Sequence, residues 1–269
     1  MILVKIGGGK SINLKEIVAD LSSIKDKFIL IHGANALRDE LAATLNIAKT
    51  TVTSTSGYSS VLSDEQAIDL LMMAYAGLRN KRIVELCQQA GINAIGLSGL
   101  DAQSVKGKRN RGIKVNQGSK RFILRDFSGK PQQINRTFID LLMTHNYTPV
   151  LSVPIMDEKG TAINSENDDI VTLLHKEYQA IRIIQLIEAP GLLKNPSDPS
   201  SVIKVLSQED IQKWEDQVVG RMKRKLLALR KLMSMGPVTI HISDGRINNP
   251  ISRALAGEGT NIRIMSNGF

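Results

Sequence analysis

The chain opens with Ile2-Leu3-Val4-Lys5-Ile6-Gly7-Gly8-Gly9-Lys10-Ser11, an apolar strand that carries one lysine and runs straight into three glycines. Glycines at a strand end let backbone N–H groups approach phosphate oxygens with no side chain between them. Gly9-Lys10-Ser11 has the letters of a nucleotide-binding P-loop. That motif also needs a glycine five residues before its Gly-Lys pair, and Val4 stands there, inside the strand. A P-loop is therefore excluded. Lys5 must find a polar partner or carry a desolvation cost. It is either an edge-strand lysine reaching for solvent or a cation aimed at a phosphate.

Working outward, the second apolar strand, 28–31, ends in His32-Gly33-Ala34-Asn35, another glycine turn that opens a helix. Helix N-termini favour anions. Strands at 93–97, 149–153, 181–187, 238–243 and 260–265 alternate with helical spacing at 14–24, 35–45, 135–146, 168–178, 208–214, 218–234 and 250–256. Ser63 and Asp64 can cap one long helix, 65–90, closed by Gly91. Strands alternating with helices predict an α/β protein with a mostly parallel sheet, whose ligands bind beyond the carboxyl ends of its strands. The 105–128 stretch, with Gly107, Gly112 and Gly118 among β-formers, predicts a protruding hairpin, and a boundary is expected in the 153–165 loop.

The 269 residues suit one large domain or two coupled ones. A single Cys87 excludes an internal disulfide and a cysteine zinc site, and the four His lack metal-ligand spacing. Cys87, the histidines, the methionines and Trp214 read as packing residues. Met1–Gly9 is too short and too broken for a signal peptide, and no apolar run approaches the ~20 residues of a membrane span, so a cytoplasmic protein is expected. The net charge of +9 is uneven. Residues 106–130 hold nine basic residues and one acid, 221–231 hold six basic residues and no acid, and the remainder is −5. Such patches are solvated faces or docking surfaces for an anionic partner. Nucleic acid lacks support, because stacking aromatics are nearly absent from both patches.

Two further clusters stand out. Asn164-Ser165-Glu166-Asn167-Asp168-Asp169 is an acidic helix start, and a carboxylate there could position two lysines. Gly220-Arg221-Met222-Lys223-Arg224-Lys225 puts a run of cations on a helix with no acid to pair them.

In order and spacing, V-K-I-G-G at 4–8, H-G-A-N at 32–35, N-K-R-I-V-E-L at 80–86, A-I-G-L-S-G-L-D at 94–101, A-I-N-S-E-N-D-D at 162–169, P-G-L-L at 190–193, G-R-M-K-R-K-L at 220–226, S-D-G-R at 243–246 and L-A-G-E-G-T at 255–260 resemble the amino acid kinase family. The likeness leans towards the N-acetylglutamate kinases and, more closely, the kinases acting on 2-aminoadipate or glutamate held by a small acidic amino-group carrier protein. It implies a three-layer αβα sandwich with a mostly parallel central sheet in two lobes. Residues 1–160 would form the amino-acid, carrier-binding and dimerisation lobe, and 161–269 the ATP lobe. It implies a homodimer through helix 65–90, and ATP with Mg²⁺ bound through its phosphates. The reaction would phosphorylate a side-chain carboxylate in lysine, and possibly arginine, biosynthesis. Lys5 and Lys225 would flank the transferring phosphoryl, with Asp168 orienting both. Gly7, Gly8, Gly33 and Ala34 would offer backbone N–H groups. Gly57, Val61 and Asn164 would meet the substrate, and Glu188, Pro190, Gly191, Leu192, Leu193, Asp244 and Arg246 would line the ATP site.

Two positions depart from the family. Ala34 replaces the second glycine of an H-G-G turn, and Val61 stands where relatives usually carry an arginine that grips the substrate's α-carboxylate. Losing such a grip removes a charged hydrogen bond worth about 1.5–3 kcal/mol. Either Arg79, Arg82 or a cation of the 106–125 segment substitutes, or the carrier supplies the affinity, with Lys106, Lys108, Arg109 and Arg111 docking it. The alternatives are an N-acetylglutamate kinase acting on free substrate and a non-catalytic anion-binding regulatory protein.

Overall fold

The computed structural model describes residues 1–48, 50–53, 59–117, 120–217 and 220–264, without the side chains of 53, 59, 60, 116, 117, 120, 121, 208, 217, 220–225, 263 and 264. The main sheet has eight strands: β1 (Ile2–Ile6), β2 (Phe28–His32), β3 (Ala94–Ser98), β4 (Thr148–Ser152), β5 (Arg182–Ile187), β6 (Val205–Leu206), β7 (Val238–Asp244) and β8 (Thr260–Ile264). Their order is β6-β8-β7-β5-β1-β2-β4-β3. All pairs are parallel except β7 with β8. The helices are α1 (Leu14–Leu21), α2 (Asn35–Thr44), α3 (Glu65–Leu71), α4 (Asn80–Gln89), α5 (Arg136–Thr144), α6 (Asn167–Tyr178), α7 (Gln208–Gln217), α8 (Gly220–Met233) and α9 (Pro250–Leu255).

Side chains alternate across a strand, and β1 shows what that does. Ile2, Val4 and Ile6 pack with Ile17, Ile83 and Ile251 of α1, α4 and α9 on one face. Leu3 packs in the other layer, with Ile68, Ile139, Ile170 and Leu229 of α3, α5, α6 and α8. Each fully buried aliphatic side chain contributes about 1.5–3 kcal/mol. The result is the expected three-layer αβα sandwich. Lys5 falls on the Leu3 face, towards α6, in a strand paired on both sides, so it is not an edge-strand lysine. The sheet order reverses between β1 and β5, which makes the carboxyl ends of these two strands the switch point where such sheets hold ligands.

Three regions differ from the sequence reading. Residues 65–89 are helical throughout, but the hydrogen bonding widens to a π-helix over Met72–Arg79 between α3 and α4. Such widening recurs at functional sites, and here it carries Tyr75 and Arg79. The 105–128 stretch is not one hairpin: 105–109 pairs with 129–134, in a four-stranded sheet with 155–156 and 162–163. The hairpin is the smaller pair 113–117 and 120–124. The expected loop at 153–165 is built into that same sheet, with 155–156 antiparallel to 162–163. Short strands pair across long sequence separations there and leave no periodic signal.

Cys87 is buried and its thiol is pushed up to about 12 by burial, which leaves it an inert packing group. Among the described residues no helix is long and apolar enough to cross a membrane.

Candidate active site

The two glycine turns follow β1 and β2 and meet beside the switch point. Gly33 N–H donates to Ile6 O at 2.9 Å and Ala36 N–H to Gly8 O at 2.9 Å. A Cβ on Gly8 would lie 2.6 Å from the Ala34 nitrogen, and one on Gly33 would lie 2.9 Å from the Gly8 nitrogen. Only glycine permits this approach, which sets the backbone nitrogens of Gly8, Ala34 and Asn35 side by side at the start of α2. Among the described residues no acceptor engages the N–H of Gly8, and the Ala34 N–H donates to the Tyr75 phenol oxygen. Ala34 is buried among the core side chains, so the missing second glycine leaves the backbone donor in place.

Lys5 Nζ lies 2.8 Å from Asp168 Oδ1, in a pair that is partly shielded (16% and 29% exposed side chains). Asp168 and Asp169 occupy the first turn of α6, where the helix dipole favours carboxylates. Lys231 of α8 reaches Asp169 Oδ1 at 3.5 Å and ties α8 to α6. Lys225 lies on α8; its side chain, with the rest of 220–225, falls outside the described residues, as does Gly57.

His32, fully buried behind the second glycine turn, is held neutral, its pKa lowered to about 3 by burial against the partial help of Gly33 O. Asn80 Nδ2 sits 3.1 Å from His32 Nε2 and donates to Val150 O at 3.0 Å. Tyr75 of the π-helix donates to Asn35 Oδ1. Its phenol is raised by burial, against the field of the nearby Arg38. Arg79 Nη2 donates to Gly7 O at 3.4 Å; burial lowers its pKa and Glu188 acts in the opposite direction. The sequence flagged Glu188 and, as an alternative, Arg79, but it carried no sign of Tyr75, because a widened helical turn has no letter code.

The other expected ATP-site residues gather at the carboxyl ends of β5 and β7. Glu188 Oε1 accepts Ser11 N–H at 2.5 Å. Leu192 N–H donates to Thr260 Oγ1 at 2.8 Å, and Pro190, Gly191 and Leu193 belong to the same loop. Arg246 forks onto Asp244 at 2.8 and 2.7 Å. Burial opposes the Asp244 charge, and the Arg246 bonds overcome it, so its carboxyl lies below the usual range.

Asn164 Nδ2 donates to Ser63 Oγ at 3.3 Å, and both line a cleft with half-exposed Val61. The substitutes named for the missing arginine are elsewhere. Arg82 pairs with Glu85 on the surface, Arg79 sits at Gly7, and Arg109 lies 3.8 Å over the Phe127 ring and donates to Asp126 O at 2.8 Å. Lys106 and Lys108 point outward from one face of their strand, and Arg111 is exposed. The basic patch thus divides into outward lysines and an arginine that braces the small sheet.

The family model for the amino acid kinase family matches residues 1–244. A LysW-aminoadipate kinase of Thermus thermophilus is 37% identical over 98% of this chain and 100% of its own length. One from Deinococcus radiodurans is 35% identical over 97% of this chain and 90% of its own length. The solved N-acetylglutamate synthase of Neisseria gonorrhoeae superposes with a TM-score of 0.76 over 100% of this chain and 60% of that one, at 18% identity. With the glycine turns, the sheet order and these matches in agreement, the chain belongs to the amino acid kinase family.

Proposed function

We propose that this enzyme transfers the γ-phosphoryl group of ATP to the side-chain carboxylate of 2-aminoadipate carried by an acidic amino-group carrier protein, giving an acyl phosphate and ADP, in lysine biosynthesis. The observation that carries the reading is the Lys5–Asp168 pair, set beside two apposed glycine turns at the sheet's switch point. The chemistry suits these groups. The nucleophile is already a carboxylate, so no general base is required. Phosphoryl transfer then depends on alignment and on neutralising charge. Lys5 meets the phosphoryl group from β1, Lys225 meets it from α8, and Asp168 orients them. Gly7, Gly8, Gly33 and Ala34 supply N–H donors, and Asn164 holds the substrate. Glu188, Pro190–Leu193, Asp244 and Arg246 form the nucleotide side.

Among the described residues no three His, Cys, Asp or Glu side chains gather to hold a metal. Mg²⁺ would enter on the ATP phosphates, where it would neutralise their charge. The likeness to the two carrier-dependent relatives, together with outward Lys106 and Lys108, supports a carrier substrate over a free one. Exposed Met73 and Leu78 on the π-helix offer an apolar face for a homodimer.

The test is ADP release with carrier-linked aminoadipate, carrier-linked glutamate and free N-acetylglutamate. Turnover of the first well above the third is expected; preference for the free compound would overturn the carrier reading.

A further inference from the structure

The cleft beside Asn164 lacks the arginine expected at position 61, yet it does not lack a cation. Arg38, on the first turn of α2, lines it together with Val61, Ser63, Asp64 and Asn164. Among the described lining residues Arg38 is the one cation, and the Asp64 carboxylate is already occupied, accepting Ala67 N–H at 2.8 Å. The Arg38 side chain is only 27% exposed. Its Nε and Nη2 both donate to Asp39 Oδ1, at 3.0 and 2.8 Å. A guanidinium has five N–H donors in a fixed fork, so this contact steadies the group and leaves the Nη1 side for another acceptor. Arg38 is also close enough to Tyr75 for its charge to act on the phenol, which places it beside the Tyr75–Asn35 contact at the mouth of the glycine turns.

An amino acid held through its amino group keeps two carboxylates. One receives the phosphoryl group; the other is drawn out of water into the same cleft and must meet a cation and a donor there. We propose that Arg38 is the specificity residue that grips the substrate's α-carboxylate, with Asn164 as the second donor, in place of the arginine absent at Val61. On this reading the anchor stands on α2 rather than on the strand at 59–61, and Arg38 and Val61 line the same cleft. This inference rests on the carrier-linked aminoadipate reading above.

The experiment compares carrier-linked aminoadipate with carrier-linked 5-aminopentanoate, which is the same substrate without its α-carboxylate. The wild type is expected to prefer aminoadipate by about 10- to 100-fold in kcat/KM, mostly through KM, the range of a charged bidentate contact. Arg38→Met should bring that ratio to within about threefold of unity, chiefly by raising KM for aminoadipate, since the lost interaction is one that only the carboxylate makes. Adding Val61→Arg to Arg38→Met should restore the preference. Arg38→Lys keeps the charge without the fork, should give an intermediate ratio, and replaces the Met variant if that one does not fold. An unchanged ratio in the Arg38 variants would overturn the inference while leaving the kinase reading intact. Absence of turnover by the wild type on either substrate would sink the kinase reading, and this inference with it.

Discussion

Asn80 and His32 are held together by a side-chain contact of 3.1 Å in the interior, where neither is reached by solvent. The contact gives the imidazole an acceptor role at Nε2, while Nδ1 faces the carbonyl of Gly33 at 3.3 Å. A neutral ring satisfies both, and a charged one would be a cation without a carboxylate. The second glycine turn, immediately after His32, is therefore braced by a group that has to stay unprotonated.

Stability should consequently fall with acid. The folded pKa of His32, about 3, lies below the unfolded value of 6.5. Its contribution is complete above the unfolded value and is lost as pH drops from there towards 3, because the unfolded chain binds the proton first. The slope from this residue is at most about 1.4 kcal/mol per pH unit. Urea unfolding between pH 7 and pH 4 would show it, and His32→Gln should flatten that part of the curve.

Asn80→Leu should destabilise the protein by about 1–3 kcal/mol, since it leaves His32 Nε2 buried without its donor and removes the bond to Val150 O. Thermal melts at neutral pH measure the loss, and a change below half a kcal/mol would show that the contact contributes little.

For the Lys5–Asp168 pair the expectation is catalytic rather than structural. Lys5→Ala or Asp168→Asn should lower kcat by about 10²–10³-fold, the cost of removing one preorganised electrostatic group. The melting temperature should move little, because a partly exposed ion pair contributes about 0–1 kcal/mol. Steady-state rates beside melting curves separate the two effects.

Gly8→Ala probes the apposed turns. Its Cβ would press against backbone nitrogen 2.6 Å away, with no flexible side chain to yield. kcat should fall by about 10²-fold or more, as for loss of an oxyanion-type donor. Near-normal turnover would mean that the close approach is not needed for the chemistry.

The basic segment divides by role. Lys106→Ser with Lys108→Ser should reduce kcat/KM for carrier-linked substrate by about tenfold at low salt and hardly at all at high salt, as electrostatic steering requires. Arg109→Ala should instead lower stability, because it removes a guanidinium stacked on buried Phe127 that shares the ring with Arg125 at 4.6 Å. Salt-dependent kinetics and melts on both variants distinguish docking from bracing.

Much of this architecture can be read in one dimension. The buried apolar run of Ile2, Leu3, Val4 and Ile6, the glycines after Ile6 and His32, and the Asp64 cap are local properties, and local sterics and hydrogen bonding suffice to specify them. The family resemblance named Asp168 as the partner of Lys5, and the 2.8 Å contact between them joins the first strand to a helix more than 160 residues away. Other features depend on which segments become neighbours in space. The small sheet joins 105–109 to 129–134 and 155–156, and two- to six-residue strands like these acquire stability only from their partners. Arg38 itself carries no motif, and it becomes a cleft residue because its helix packs beside Asn164 and Val61. Packing, which acts between residues distant in sequence and has no period along the chain, is what stacked Arg109 on Phe127 and brought Arg38 to the cleft.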